Sequence, residues 1–205
     1  NPALGVGPGN AVAYIDPSAK VDIAAKCIVD SKSFDNSVLC TNESVVLTLT
    51  SNRGNVERAL RTAGAHICNE EDTDKLRSYL FGDKGFNIEA IGKSASWIAD
   101  RAGIRVNPAT KILVPVVATP GQDDLLFREK LCPVLTLTAA VDFDQALTFA
   151  KHTAKRVGGH SAAFHGEDSR YLVLFSQKVP VYRVVVNAPC SQGAAGFATN
   201  LPPSF

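Results

Sequence analysis

The stretch AVAYIDPSAKVDIAAKCIVDSKSFDNSVLCTNESVVLTLT, residues 11–50, decides the fold. Val12 to Ile15 is a short apolar run that predicts a strand. Asp16-Pro17-Ser18 makes a turn and offers a helix start. Val21, Ala24, Ala25, Ile28 and Val29 then recur at helical spacing. Ser31 to Cys40 is polar and irregular, which predicts a loop. Ser44 to Thr50 is rich in β-branched residues and predicts a second strand.

The same alternation continues outward. Helices are predicted over Asn55–Ala63, Glu70–Phe81, Ser94–Ala102 and Phe143–Arg156. Acidic residues crowd the first turn of the second of these, as the helix dipole favours. Gly103 closes the third, and Gly158-Gly159 lies beyond the fourth. Strands are predicted over Ala65–Cys68, Lys111–Ala118, Cys132–Ala139, Ser161–Phe164 and Tyr182–Val186. Pro115 marks an edge or a bulge in its strand. Helices alternating with strands give an α/β fold, a mostly parallel twisted sheet flanked by helices. No repeat, low-complexity segment or domain boundary interrupts residues 1–205. Gln192 to Phe205, rich in Gly, Ala and Pro, predicts an irregular tail.

Composition narrows the function. The chain has 205 residues, 45% hydrophobic and 20% charged, with a formal net charge of +1. No run of like charge suggests a nucleic-acid surface or a membrane patch, and the apolar stretches are strand-sized. The chain begins at Asn1 and has no methionine, which reads as a piece of something longer. There are five cysteines and no C-x-x-C pair. Cys27, Cys68 and Cys132 stand in apolar contexts. That pattern predicts reduced, mostly buried thiols in a cytoplasmic protein, without a disulfide framework or a metal site.

Cys40 differs from the others. It follows a polar loop and precedes a strand, so it lies at the mouth of an element. There a substrate can reach it and backbone N–H groups can assist it. The competing reading is an ordinary free thiol.

The context of Cys40 then acquires a family. Residues 31–46 (SKSFDNSVLCTNESVV) resemble the active-site loop of CoA-acylating aldehyde dehydrogenases, including the aldehyde dehydrogenase half of bifunctional aldehyde–alcohol dehydrogenases. Gly5-Val6-Gly7-Pro8-Gly9-Asn10 is similar to that family's glycine-rich approach to its catalytic domain. Arg128-Glu129-Lys130-Leu131-Cys132-Pro133-Val134 resembles its Glu-Lys-Leu-x-Pro-Val segment. Gly159-His160-Ser161-Ala162-Ala163 resembles its Gly-His-Thr-Ala segment. Val186-Asn187-Ala188-Pro189-Cys190-Ser191-Gln192-Gly193 resembles its late Val-Asn-x-Pro-x-Ser-Gln-Gly segment. The matches come in order along nearly the whole chain.

The resemblance implies roles. Cys40 would attack an aldehyde to give a thiohemiacetal and then a thioester, which coenzyme A would take up. The Cys40 backbone N–H would help hold the oxyanion. His160 would be the acid–base partner, since an imidazole titrates near neutrality. Glu129 would bond the nicotinamide ribose of NAD; apart from the resemblance it reads as a surface charge between Arg128 and Lys130. Asn187 and Ser191 would line the substrate pocket. A small aldehyde is the implied substrate and a homo-oligomer the implied assembly. The implied location is cytoplasmic, a bacterial microcompartment included.

One absence separates branches of the superfamily. Hydrolytic relatives carry a glutamate some thirty-odd residues before the cysteine, which activates water. Here the first acidic residue is Asp16. The thioester is therefore expected to await coenzyme A. The resemblance implies that the family's nucleotide-binding domain lies mostly before this segment and is largely absent here; Gly5 to Gly9 is not a G-x-G-x-x-G fingerprint. The isolated chain is accordingly expected to be inactive as a dehydrogenase. The alternatives are a hydrolytic or semialdehyde dehydrogenase of the same superfamily, and a non-catalytic assembly domain.

Overall fold

The first strand explains the layering. β1 (Ala11–Ile15) is buried along its whole length. Its side chains alternate with the period of two of extended backbone. Ala11, Ala13 and Ile15 join one core, while Val12 and Tyr14 join another. A strand buried on both faces belongs inside a parallel sheet with helices on either side.

The computed structural model has that arrangement. It describes residues 9–82, 85–118, 120, 124–156, 159–197, 200 and 202–203. Gly5 to Pro8 of the glycine-rich approach lie outside the described residues, as do Gly158 and several tail positions. β1 pairs with β2 (Glu43–Leu49) on one side and β8 (Ser161–His165) on the other. β2 pairs with β7 (Thr136–Ala140), and β8 with β9 (Arg183–Val186). The resulting five-stranded sheet has the order β7-β2-β1-β8-β9 and is parallel throughout.

α1 (Val21–Ser33) and α2 (Arg53–Thr62) cover one face through Ala24, Ala25, Ile28, Val29, Val56 and Leu60. α7 (Cys190–Ala194) adds Cys190 to that core. α5 (Phe143–Arg156) and α6 (Ser169–Lys178) cover the other face. There Tyr14 packs within ring contact of Phe143, Phe164 and Phe175.

A third core forms beside β7. β3 (Ala65–Ile67) and β6 (Ile112–Val114) pair in parallel. α3 (Glu70–Leu80) and α4 (Ala95–Ala102) pack there through Leu76, Leu80, Ile98 and Ala99. Asn69 caps α3 and Ser94 caps α4, each accepting a backbone N–H. Gly103 ends α4 in the left-handed region, at φ 71°. Such a cap favours glycine, which has no Cβ to clash.

Pro115 is not at an edge. Leu113 and Leu135 share a backbone hydrogen bond of 2.9 Å, and Leu137 N–H donates to Pro115 O at 2.9 Å. The β6 segment thus lies between β3 and β7. Pro115 has no N–H to return, so the ladder there breaks into isolated bridges. That shortens the expected Lys111–Ala118 strand to Ile112–Val114.

Other differences are local. The helix expected to stop at Val29 runs on to Ser33, so Ser31 to Ser33 are helical and not loop. α6, the short α7 and a small antiparallel pair, β4 (Phe81–Gly82) with β5 (Gly85–Phe86), were not anticipated. Gln192 to Ala194, expected as part of the irregular tail, are the end of α7. Cys27, expected to be buried, is partly open. No helix of the described residues is long and apolar enough to cross a membrane.

Candidate active site

The chemistry-bearing residues gather at the amino ends of the strands. Gly9 and Asn10 precede β1, Cys40 precedes β2, Glu129 lies ahead of β7, and His160 precedes β8. Arg183 opens β9. Open α/β sheets more often bind ligands at the carboxyl ends, so this site is built on the opposite rim.

Three features fix the Cys40 loop. First, Asp35, Asn36 and Ser37 all have positive φ, at 49°, 46° and 66°. This tight turn redirects the chain from the end of α1 toward the thiol. Asp and Asn tolerate the left-handed region better than most residues, and Ser less well. Each such residue costs about 1–2 kcal/mol, while a buried aliphatic side chain contributes roughly 1.5–3 kcal/mol. The cores therefore hold the strain. Second, Asn42 Nδ2 donates to the Ser31 and Phe34 carbonyls, tying the loop back to α1. Third, Gly9 lies against Cys40. A Cβ at Gly9 would stand 2.0 Å from the Cys40 carbonyl oxygen. Only glycine permits that approach.

A polar chain then runs from the thiol into the sheet. Cys40 Sγ lies 3.4 Å from His160 Nε2. His160 Nδ1 lies 2.9 Å from Ser161 Oγ. Arg183 Nη1 donates to Ser161 Oγ at 3.2 Å. Burial raises the Cys40 thiol above its ordinary value; its own backbone N–H and Arg183 oppose this, while Glu129 adds to it. Burial also lowers the His160 imidazole, and the Arg183 guanidinium lowers it further. Both groups are therefore held neutral near pH 7, as a thiol beside an imidazole and not as a preformed ion pair.

Glu129 is half-buried, and the Gly9 N–H donates to its carboxylate. It is near enough to raise the Cys40 thiol. Burial raises Glu129 itself, against the Gly9 hydrogen bond and the charges of Lys32 and Lys130. A carboxylate so placed can accept from ribose hydroxyls. Among the described residues nothing matches it for a pyrophosphate. β1 is followed by Asp16-Pro17-Ser18, in which Asp16 bonds Ser18, and no glycine-rich strand-to-helix turn is present.

The structure brings Cys40, His160 and Glu129 together, but not Asn187. Asn187 follows β9 at the carboxyl rim, where its side chain bonds both backbone groups of Gly166 at 2.9 and 3.0 Å. Ser191 is fully buried behind the loop, and its N–H donates to Ser31 Oγ at 3.0 Å. It joins α7 to α1. Sequence reading missed Ser161 and Arg183. Ser161 stood beside His160 in a quoted motif; Arg183 carried no local signal.

A partly open thiol, an imidazole in contact with it and a nearby carboxylate are the groups that covalent thiol chemistry uses. No model of a known protein family matches the chain. Individual relatives do. The aldehyde-alcohol dehydrogenase of Clostridium acetobutylicum is 38% identical over all of this chain, which spans 24% of that protein. An acetylating aldehyde dehydrogenase from Geobacillus thermoglucosidasius superposes with a TM-score of 0.93 at 33% identity, over 99% of this chain and 45% of its own. The propionaldehyde dehydrogenase of Rhodopseudomonas palustris, solved with bound propionyl-CoA, has a TM-score of 0.88 at 26% identity over 98% of this chain and 44% of its own. The chain belongs to the family of CoA-acylating aldehyde dehydrogenases. It spans from 24% to 45% of the length of these relatives.

Proposed function

We propose that this chain carries the thiol chemistry of an NAD-dependent, CoA-acylating oxidation of a short-chain aldehyde. Cys40 is the nucleophile and His160 takes its proton. The observation that supports this most directly is the 3.4 Å contact between Cys40 Sγ and His160 Nε2.

The mechanism starts from two neutral groups. With its proton on Nδ1 donated to Ser161 Oγ, His160 leaves Nε2 free to accept. As the thiol proton moves to Nε2, Sγ bonds to the aldehyde carbon. The oxygen of the thiohemiacetal lies beside the Cys40 backbone N–H, which also favours the thiolate. NAD, when bound, supplies the hydride acceptor that turns this adduct into a thioester, and Glu129 is the residue to hold its ribose. His160 releases the first proton to solvent before the acyl transfer. It then accepts the proton of the coenzyme A thiol as that sulfur attacks the thioester carbonyl, and returns it to Cys40 as the Cys40–acyl bond breaks.

Two features favour coenzyme A over water as the acceptor. Asp16, the first acidic residue of the chain, lies at the carboxyl rim, away from Cys40. Glu129, the carboxylate that does lie near, is held by the Gly9 N–H. The Rhodopseudomonas relative, with propionyl-CoA bound, supports a short acyl chain. The same reading implies a homo-oligomer in the cytoplasm or a microcompartment.

The test is NADH formation by the natural-length protein from acetaldehyde or propionaldehyde and NAD, with and without coenzyme A. We expect NADH only with coenzyme A, and none in Cys40→Ala. Equal rates without coenzyme A would mean that water cleaves the thioester, as in the hydrolytic branch.

A further inference from the structure

Two lysines are buried beneath the site, and the mechanism above uses neither. Lys32, on α1, has 0% exposure, and Lys130, beside Glu129, has 1%. Among the described residues neither has a carboxylate within ion-pair distance. A buried, unpaired ammonium is costly, and an apolar residue of similar volume would serve packing better. The positions of their donors account for them.

Lys130 Nζ donates to the carbonyls of Leu126 and Arg128, the latter at 2.9 Å. Lys32 Nζ donates to the Lys130 carbonyl at 3.2 Å. Asn10 Nδ2 takes the Phe127 carbonyl at 2.8 Å, and Thr136 Oγ1 donates to the Leu126 carbonyl at 2.6 Å. Backbone oxygens on both sides of Glu129 are thus gripped by side chains. The grip on the far side of Glu129 comes from the helix that leads into the Cys40 loop.

We propose that Lys32 and Lys130 are positioning residues that clamp the loop carrying Glu129 and fix its carboxylate relative to Cys40. Lys32 is the cross-link, because α1 carries both it and the chain leading to the thiol. The ammonium group suits the task, since its donors meet carbonyls in several directions without needing a carboxylate. The two cations also oppose the protonation of Glu129 that burial favours. This inference rests on the assignment of Glu129 to the nicotinamide ribose.

The experiment is a double-mutant cycle in the natural-length protein, with Lys32→Met and Glu129→Gln alone and together. Each variant is assayed for KM of NAD and kcat. Acylation of its Cys40 by propionyl-CoA without NAD is also measured. Lys32→Met is expected to raise KM for NAD about tenfold or more, to leave Cys40 acylation within about twofold of the parent, and to add nothing in the Glu129→Gln background. A full additive effect, or equal loss of acylation, would overturn the clamp and leave a general packing role. If Glu129→Gln alone leaves KM for NAD unchanged, the ribose assignment itself fails, and the clamp with it. Should Lys32→Met not fold, Lys32→Gln, which keeps a donor on a shorter arm, runs the same cycle with the same criteria.

Discussion

At the scale of single residues, two neutral groups stand in contact. Burial pushes the Cys40 thiol up, and burial with Arg183 pushes the His160 imidazole down. A thiol held above its ordinary value is mostly protonated at neutral pH, and its thiolate fraction rises about tenfold per pH unit up to that value. Alkylation of Cys40 by iodoacetamide, followed by peptide mapping, should therefore climb steadily from pH 6 past pH 8. A plateau already reached below pH 7 would instead reveal a thiolate–imidazolium pair. Gly9 is the other decisive residue, because a Cβ there would strike the Cys40 carbonyl. Gly9→Ala should cost about 2–3 kcal/mol of stability and slow Cys40 acylation by at least about tenfold. Urea unfolding and mass spectrometry read the two effects separately.

At the scale of elements, the turn between α1 and Cys40 is where the structure departs most from the sequence reading. A polar run without periodicity reads as loop, and so it hid both the last turn of α1 and the left-handed Asp35-Asn36-Ser37 bend. Ser37 is strained, and among the described residues its buried Oγ has no hydrogen-bond partner. Ser37→Gly relieves both faults, against the entropy that glycine gives the unfolded chain, for a net gain of about 1 kcal/mol. A higher urea midpoint would bear this out, and a lower one would show that the bend needs a side chain. The core elements were legible because their patterns are local. β1 and α5 repeat at the period of strand and helix, and the structure follows those patterns. Cys40 stood out by its position and His160 by its motif, but their contact was not legible, because 120 residues separate them and the sheet order unites them. Arg183 and Lys32 were invisible for the same reason. Their roles come from neighbours distant in the chain.

At the scale of the whole molecule, one rim of a parallel sheet gathers Cys40, Glu129 and His160, and the described residues supply no pyrophosphate cradle. This chain by itself should accept an acyl group yet fail to reduce NAD, which absorbance at 340 nm and adduct mass distinguish. Stability should also depend on pH through the buried cations. Lys32 is lowered to about 8 and Lys130 to about 7 by burial. In this range the unfolded chain binds more protons than the native one, so these lysines make stability rise with pH from about 7. Lys32→Met should reduce that rise between about pH 8 and 9, where the native Lys32 loses its proton before the unfolded one does. Above pH 9 the buried thiols of Cys68, Cys132 and Cys190, all raised by burial, act with the opposite sign.

The most direct test of the central claim is to incubate the protein with propionyl-CoA and map the acyl group by peptide mass spectrometry. A hydroxylamine-labile propionyl thioester is expected on Cys40, slowed in His160→Ala and absent in Cys40→Ala. An adduct on another cysteine, or none while coenzyme A-dependent turnover persists, would contradict it.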